Sequence, residues 1–180
     1  MTFQWGGLAD TTEGLDAQQP PAHATRHRSR VEVIGYEKHD ISTHEDGSML
    51  VSTVLTERFS GAIQGMGYAD HLRVLRPDGS GITTGIERIV GSIDGRKGSF
   101  ILTAHGRNHS NGEVSGSWTV QPGSGTGELA GIRGRGAFTA KPDVDGTMHA
   151  EDEFVCWFED KPAADAGRDT EADAPAPTGT

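Results

Sequence analysis

The feature that most constrains this chain is a series of short segments with alternating apolar residues, each ended by a turn. Five of the breaks are turn dipeptides: Asp46-Gly47, Asp78-Gly79, Asp94-Gly95, Asn111-Gly112 and Asp145-Gly146. Asp-Gly and Asn-Gly favour the positive φ angles of tight hairpin turns, and alternation is the pattern of a half-buried strand. No window combines apolar residues at helical spacing with a helix cap. The sequence therefore predicts an all-β chain.

Eight segments with this pattern follow one another along the chain. The predicted strands are 31–43, 49–60, 63–75, 81–93, 98–107, 113–121, 132–141 and 147–159. Short turns between sequential strands predict an antiparallel up-and-down β-barrel, because closure removes the exposed sheet edges. A two-sheet sandwich stays open as the alternative. The glycine-rich stretch 122–131 predicts a loop with one helical turn near 127–130.

Composition divides the chain into a barrel domain, 31–158, and two ends. Residues 159–180 hold six acidic and two basic residues among Ala, Pro, Thr and Gly, which is typical of a disordered tail. Residues 1–30 show no strand pattern and are predicted to form an arm, and the basic cluster 26–30 is interpreted as a solvated linker. Three large apolar residues near the start predict that this arm docks as a lid over the barrel mouth: Phe3, Trp5 and Leu8. An arm without a role is the alternative.

The net charge and the absence of certain sequence motifs exclude several classes of partner and cofactor from our expectations. The net charge is -10, so the chain would repel a phosphate backbone, and nucleic acid is not expected as a partner. Without a secretory signal or a long apolar run, we expect a cytoplasmic protein with no membrane association. His105 and His109 have no third ligand beside them in sequence, so neither a metal nor another cofactor is expected. The lone Cys156 lies in an apolar run and is predicted to be a packing residue.

The more apolar phase of each strand predicts which side chains face into the barrel. This choice places the following residues inside: Val51, Leu55, Phe59, Gln64, Met66, Tyr68, Leu72, Ile86, Arg88, Val90, Phe100, Leu102, Ala104, Val114, Trp118, Val120, Phe154, Cys156 and Phe158. It also places Glu57, Asp70 and Asp152 inside, where an ionised carboxylate is costly unless it is paired. We therefore expect these acids to pair with Arg88 or to meet a ligand. Tyr68 and Trp118 are predicted pocket walls, with core filling as the alternative.

Two glycine-rich stretches, 87–100 and 123–134, carry a family resemblance, and 59–65 fits the same pattern. They resemble the small bacterial allene-oxide-cyclase-like barrel proteins, a domain of unknown function, over residues 31–158. The resemblance implies the barrel fold. Within that architecture the chain is similar in size to the spirotetronate and spirotetramate cyclases, which close a six-membered ring on a linear polyene by a Diels–Alder-type cycloaddition.

The resemblance implies a cofactor-independent cyclase for a hydrophobic polyene or polyketide in natural-product biosynthesis. Such a reaction depends on positioning and needs no nucleophile. In this hypothesis Gln64 and Arg88 bind and polarise a dicarbonyl head group, and the remaining substrate contacts are Met66, Tyr68, Asp70, Phe100, Leu102, Trp118 and Phe154. A non-catalytic carrier of apolar small molecules needs the same cavity and is the main alternative, and an aspartic-type peptidase is a further one. A homodimer is one assembly consistent with this hypothesis.

Overall fold

Every predicted strand segment forms a strand. The computed structural model describes residues 19–159, which contain β1 (Thr25–Thr43), β2 (Met49–Gly61), β3 (Ile63–Leu75), β4 (Gly81–Ile93), β5 (Arg96–Asn108), β6 (Val114–Val120), β7 (Ile132–Pro142) and β8 (Met148–Phe158). The predicted helical turn is a 3₁₀ turn over Gly127–Leu129, between β6 and β7. Within residues 19–159, no helix is long and apolar enough to cross a membrane.

The strands form a closed antiparallel barrel in chain order, in which β1 also pairs with β8. The all-β, eight-stranded up-and-down barrel is therefore confirmed, and the sandwich alternative is wrong. The closing pairs join residues 25–32 of β1 to residues 149–156 of β8. Closure satisfies the backbone groups that an edge strand would expose.

The first strand begins before the predicted boundary at residue 31, because the basic cluster 26–30 is part of β1. Arg28 lies 2.6 Å from Glu153 of β8 on the outer surface. Between the arginines, the buried hydroxyl of Ser29 accepts a hydrogen bond from the backbone N–H of Ile63 at 2.9 Å. The sequence pattern missed this strand because its inward positions are polar. The proposed lid residues Phe3, Trp5 and Leu8, and the tail 160–180, lie outside the described residues.

Four turns of one type gather at one end of the barrel. In each, an Asp or Asn side chain before a glycine accepts a hydrogen bond from the backbone N–H two residues further on, to Ser48, Ser80, Glu113 and Thr147. The glycines that follow have φ angles of 78° to 85°, as the turn dipeptides predict. These four turns form the rim of one mouth of the barrel.

Apolar side chains close the opposite end. Leu129 of the 3₁₀ turn is fully buried and packs in one cluster with Ile63, Ile93 and Ile132. The loop that carries Leu129 is bound to β5, because the backbone N–H of Thr126 donates to the carbonyl of Ser99 at 2.8 Å. The barrel is therefore open at the end where the four turns lie and closed at the other end by packed apolar side chains, which we call the floor.

Candidate functional site

The open mouth of the barrel contains a cleft of about 610 Å³. Its wall combines apolar and polar side chains, and residues of three turns contribute to it. The apolar ones are Val33, Leu75, Val114 and Met148, and the polar or charged ones are Tyr36, Arg73, Asn108, His109, Glu113, Asp145 and Thr147. Since the floor at the far end is packed, the mouth is the side from which a ligand can enter.

A smaller cavity of about 60 Å³ lies beside this cleft, inside the barrel. Val33 of the cleft is paired with Glu57 of the cavity, and Arg73 of the cleft follows His71 of the cavity on the same face of β3. The cavity is lined by Val31, Glu57, Phe59, His71, Glu87, Leu102, Ala104, Trp118, Phe138, Ala150 and Asp152. This volume holds about two water-sized groups, so a ligand in the cleft can extend a small polar end into it.

Glu57 of β2 and Glu87 of β4 share a hydrogen bond in this cavity. Both residues are buried, at 8% and 7% exposure. Burial raises the pKa of both carboxyls, and the negative charge of Glu57 raises the pKa of Glu87 further, well above its ordinary value. Two carboxylates this close cannot both ionise in a low-dielectric interior. The pair therefore holds a shared proton, and Glu87 is the more readily protonated member.

Asp152 of β8 is the third carboxyl of the cavity. Burial raises its pKa to about 7, and the charge of Glu57 adds to this effect, whereas a hydrogen bond with the side chain of Trp118 lowers it. Since its neutral and ionised forms are balanced near neutral pH, Asp152 can gain or lose a proton under ordinary conditions.

His71 and Arg73 of β3 lie next to these acids. Burial, reinforced by the charge of Arg73, lowers the pKa of His71 to about 4, so its ring is neutral. Among the described residues, neither ring nitrogen of His71 has a hydrogen-bond partner, nor does Nε of Arg73. Burial lowers the pKa of Arg73 while Tyr36 and Glu57 raise it, and a guanidinium stays charged under such conditions. Buried polar atoms without partners beside a cavity are typical of a binding site.

Two glycines make room for these side chains. A Cβ at Gly67 of β3 would overlap Oε1 of Glu87, and a Cβ at Gly85 of β4 would overlap the ring of His71. Both glycines are on the inner face, on strands next to the side chain that they accommodate. The ionisable groups therefore fit in the barrel because neighbouring positions lack a side chain.

The arrangement is suited to binding and to proton transfer. A neutral Glu87 is a donor, an ionised Glu57 is an acceptor, and the neutral ring of His71 can act as either. Within residues 19–159, no group of three or more His, Cys, Asp or Glu side chains is placed to hold a metal ion. The thiol of Cys156 is buried, and burial raises its pKa to about 11, in accord with a packing role.

The predicted inward phase is confirmed for β2, β5, β6 and β8. Phe100, Leu102, Trp118 and Phe154 are 1% to 5% exposed. Of these four, Leu102 and Trp118 line the small cavity, whereas Phe100 and Phe154 belong to the packed core. Glu57 and Asp152 are inside as predicted. That Phe100, Leu102, Trp118 and Phe154 contact a substrate stays a prediction.

The predicted phase is wrong for β3 and β4. The outward positions of these strands are occupied by Gln64, Met66, Tyr68, Asp70, Leu72, Ile86, Arg88 and Val90. Tyr68 is 52% exposed, and Asp70 accepts a hydrogen bond from the hydroxyl of Ser52 on the outer surface. The expected pairing of Arg88 with Glu57 or Asp152 is therefore wrong, and Gln64 and Arg88 cannot touch a ligand inside the barrel.

Seven ionisable residues that line the cavity and the cleft were not predicted to do so: His71, Arg73 and Glu87 on β3 and β4, and Tyr36, His109, Glu113 and Asp145 around the mouth. The first three were missed for one reason. The apolar phase was taken as inward, and in β3 and β4 that phase is the outer one. Both strands pair with their neighbours in continuous register, so no bulge causes the reversal. The glycines of these strands could have identified the inward face. Gly65 and Gly67 lie on the same face of β3 as His71, and Gly85 lies on the same face of β4 as Glu87. Glycine in a strand often marks a tightly packed inner face.

Comparisons with known proteins agree with this fold. A crystal structure of a protein of unknown function from the DUF3224 family of Shewanella oneidensis MR-1 is similar to this chain, with a TM-score of 0.57 and 25% identity. The match covers 76% of this chain and 99% of that chain. No curated protein matches the chain. The family model described as a protein of unknown function, DUF3224, matches residues 28–151. The chain therefore belongs to the DUF3224 family.

Proposed function

We propose that this chain binds a small organic molecule through the open mouth of its barrel. The observation that carries the proposal is the cleft of about 610 Å³ beside a cavity with buried polar atoms that lack partners. Ligand sites commonly have volumes of about 300–1,000 Å³, mostly apolar walls and a few convergent polar groups. An eight-stranded barrel is also about the size that holds one small ligand.

The cleft favours a ligand with an apolar body and one polar end. Val33, Leu75 and Met148 offer apolar contacts. Arg73 is the arginine of the cleft, and its guanidinium can bind a carboxylate or a carbonyl oxygen. Arg73 therefore takes the role that the sequence analysis assigned to Arg88.

A cyclase acting on the bound molecule is the second candidate, and the shared proton of Glu57 and Glu87 favours it. Glu87 would use this proton to donate a hydrogen bond to a carbonyl oxygen conjugated with the reacting alkene, which polarises the alkene while the two new carbon–carbon bonds of the ring form from the π bonds of the diene and the alkene, with no proton lost and no cofactor. Cycloaddition by positioning alone needs neither group. The relationship to spirotetronate and spirotetramate cyclases, and a role in natural-product biosynthesis, belong to this second candidate.

Calorimetric titration with alkyl carboxylates of increasing chain length tests the binding proposal. Arg73→Gln should weaken binding about tenfold, the loss that corresponds to about 1.4 kcal/mol. Arg88→Gln is the matched control, since Arg88 is on the outer surface, and it should leave the affinity unchanged. Absence of binding by every carboxylate, or an equal loss in both variants, would contradict the proposal.

Activity is tested separately with a linear polyene that carries a diene and an exocyclic alkene. Chromatography would follow its conversion to a product of unchanged mass. Glu87→Gln keeps the shape of the side chain and replaces the acid with a weaker hydrogen-bond donor, so turnover should fall at least about tenfold, or about 1.4 kcal/mol in the barrier, while binding is retained. Release of the polyene unchanged by the wild-type protein identifies the chain as a carrier.

A further inference from the structure

The outer surface of β3 and β4 is apolar along most of its length. Seven large side chains on β2, β3 and β4 are 40% to 61% exposed: Val54, Tyr68, Leu72, Val74, Ile82, Ile86 and Val90. Within residues 19–159, no large apolar side chain of β5 to β8 reaches this exposure, whereas Ile34, Tyr36 and Ile41 of β1 do. We call the outer positions of β2 to β5 at residues 50–58, 66–74, 82–90 and 99–107 the apolar face. Ten of these twenty positions are apolar, and seven of the ten polar or charged positions lie on the flanking strands β2 and β5, among them Arg58, His105 and Arg107.

The apolar face is continuous because the strand register brings its side chains together. Val74 is paired with Ile82, and Met66 is paired with Val90. A groove of about 520 Å³ runs along the same surface beside Leu72, Val74 and Ile82. These residues therefore form one surface with a concave part.

The size of this face is that of a protein interface. Strands lie about 4.8 Å apart and residues on one face of a strand repeat about every 6.8 Å, so five rows across four strands cover roughly 650 Å², of which the apolar positions hold about half. A standard interface buries about 600–1,000 Å² on each partner. Exposed apolar patches beyond a few hundred Å² are uncommon in monomers.

We propose that the apolar face is covered by the same face of a second copy of this chain, in a two-fold dimer. The charges on the face are the reason for choosing a second copy. Asp70 and Arg88 are the acid and the base among the outward positions of β3 and β4, and they occupy diagonal positions on the paired strands. A two-fold axis through Tyr68 and Ile86 brings Asp70 of each copy against Arg88 of the other, so the face is self-complementary, as an isologous interface requires.

Two further observations support this arrangement. The chain has a net charge of -10, so two copies repel each other over most of their surfaces, and the apolar face has one acid balanced by one base on its two central strands. The carboxylate of Asp70 is also held in place by the hydroxyl of Ser52 at 2.7 Å. A positioned charge loses less side-chain entropy on association.

Light scattering on a sizing column, over a wide range of protein concentration, tests the dimer. The wild-type chain should have the mass of a dimer, and Ile86→Glu should have the mass of a monomer while its circular dichroism is unchanged. Val144→Glu is the matched control, because Val144 is a fully exposed apolar residue in the β7–β8 turn, and it should stay dimeric. A monomeric wild-type chain, or a dimer that survives Ile86→Glu, would overturn the proposal.

Charge exchange tests the predicted contact between copies. Asp70→Arg alone and Arg88→Asp alone each place like charges in contact and should weaken the dimer at least about tenfold, which is about 1.4 kcal/mol. The double variant Asp70→Arg with Arg88→Asp restores both pairs and should regain the dimer. Single variants that dimerise normally, or a double variant that stays as weak as the single variants, would overturn this pairing.

Discussion

The two halves of the barrel wall bury opposite kinds of side chain. In β5, β6 and β8 the inward positions hold large apolar residues such as Phe100, Trp118 and Phe154. Toward the mouth, the inward positions of β3 and β4 hold glycine, alanine and ionisable groups such as His71 and Glu87, and most of the large apolar residues of these strands lie outside. At the floor end the same two strands bury Ile63, Ile89 and Ile93 in the core. The β5–β8 side therefore follows the usual rule for a barrel wall along its length, whereas β3 and β4 reverse it in their mouth-side part.

This difference indicates that one side of the barrel contributes most of the folding stability and the other side provides the surfaces suited to binding. The β5–β8 half, with the floor, supplies apolar burial, which is the main favourable term in folding. The β3–β4 half contributes less apolar burial and provides polar groups facing the cavity together with an apolar surface facing outward. Each side of this half is suited to a contact that the isolated barrel does not satisfy: a ligand inside and, in our proposal, a second copy outside.

The largest expected difference between the halves is in core truncation. Phe100→Ala should reduce the free energy of unfolding by about 3–5 kcal/mol, because it leaves a cavity in the packed half. Tyr68→Ala, on the outer side of β3, should change it by less than about 1 kcal/mol in dilute solution, where a dimer contributes little. Denaturant unfolding of both variants measures this. Equal losses would mean that the two halves contribute alike.

Filling the inner face of β3 should have the next largest effect. Gly67→Ala introduces a Cβ that overlaps Oε1 of Glu87 and lies 2.7 Å from the ring of Phe59, so we expect a loss of about 1–3 kcal/mol in unfolding free energy. In the double variant with Glu87→Ala the loss should be smaller than the sum of the two single losses, because one of the overlapping groups is gone. Strict additivity would show that Gly67 does not make room for Glu87.

A smaller effect concerns pH. The folded-state pKa of Asp152, about 7, lies above its ordinary value of 3.8, so its contribution to stability is complete below about pH 4 and is lost as the pH rises through about 7. The pKa of His71 is lowered to about 4, so its contribution is lost only as the pH falls, and above about pH 6.5 it does not oppose the effect of Asp152. We expect Asp152 to account for a fall of about 0.8 kcal/mol in unfolding free energy between about pH 6.5 and pH 8.

Two aspartate variants separate the pH dependence caused by Asp152 from the pH dependence that removal of any one carboxylate would cause. Asp152→Asn should make the decrease in unfolding free energy over this pH range smaller by about this amount, measured by denaturant titration at several pH values, while the buried carboxyls of Glu57 and Glu87 remain in both proteins. Asp70→Asn, at the position that the apolar phase wrongly placed inside, should keep the wild-type slope. A wild-type slope in Asp152→Asn would mean that its carboxyl is ionised throughout.

The local pattern of alternating apolar residues and turn dipeptides was sufficient to predict the strands and turns. The predicted bounds of β2, β3 and β4 agree with the structure to within one residue, because alternation and Asp-Gly turns are properties of neighbouring residues. The start of β1 was missed because polar residues occupy its inward positions. The candidate site was predicted in part: Glu57, Trp118 and Asp152 line the cavity as expected, whereas Arg73 and Glu87 were missed.

The sequence by itself determined that this chain is an eight-stranded β protein, where its strands turn, and which residues share each face. Alternation shows that the two faces of a strand differ, but it does not say which face is inward when the interior is polar. Only the tertiary structure decided this for β3 and β4, because the room for His71 and Glu87 comes from Gly85 and Gly67 on adjacent strands. The shared proton of Glu57 and Glu87 likewise depends on two carboxyls, 30 positions apart in the chain, that meet only when the barrel closes around them.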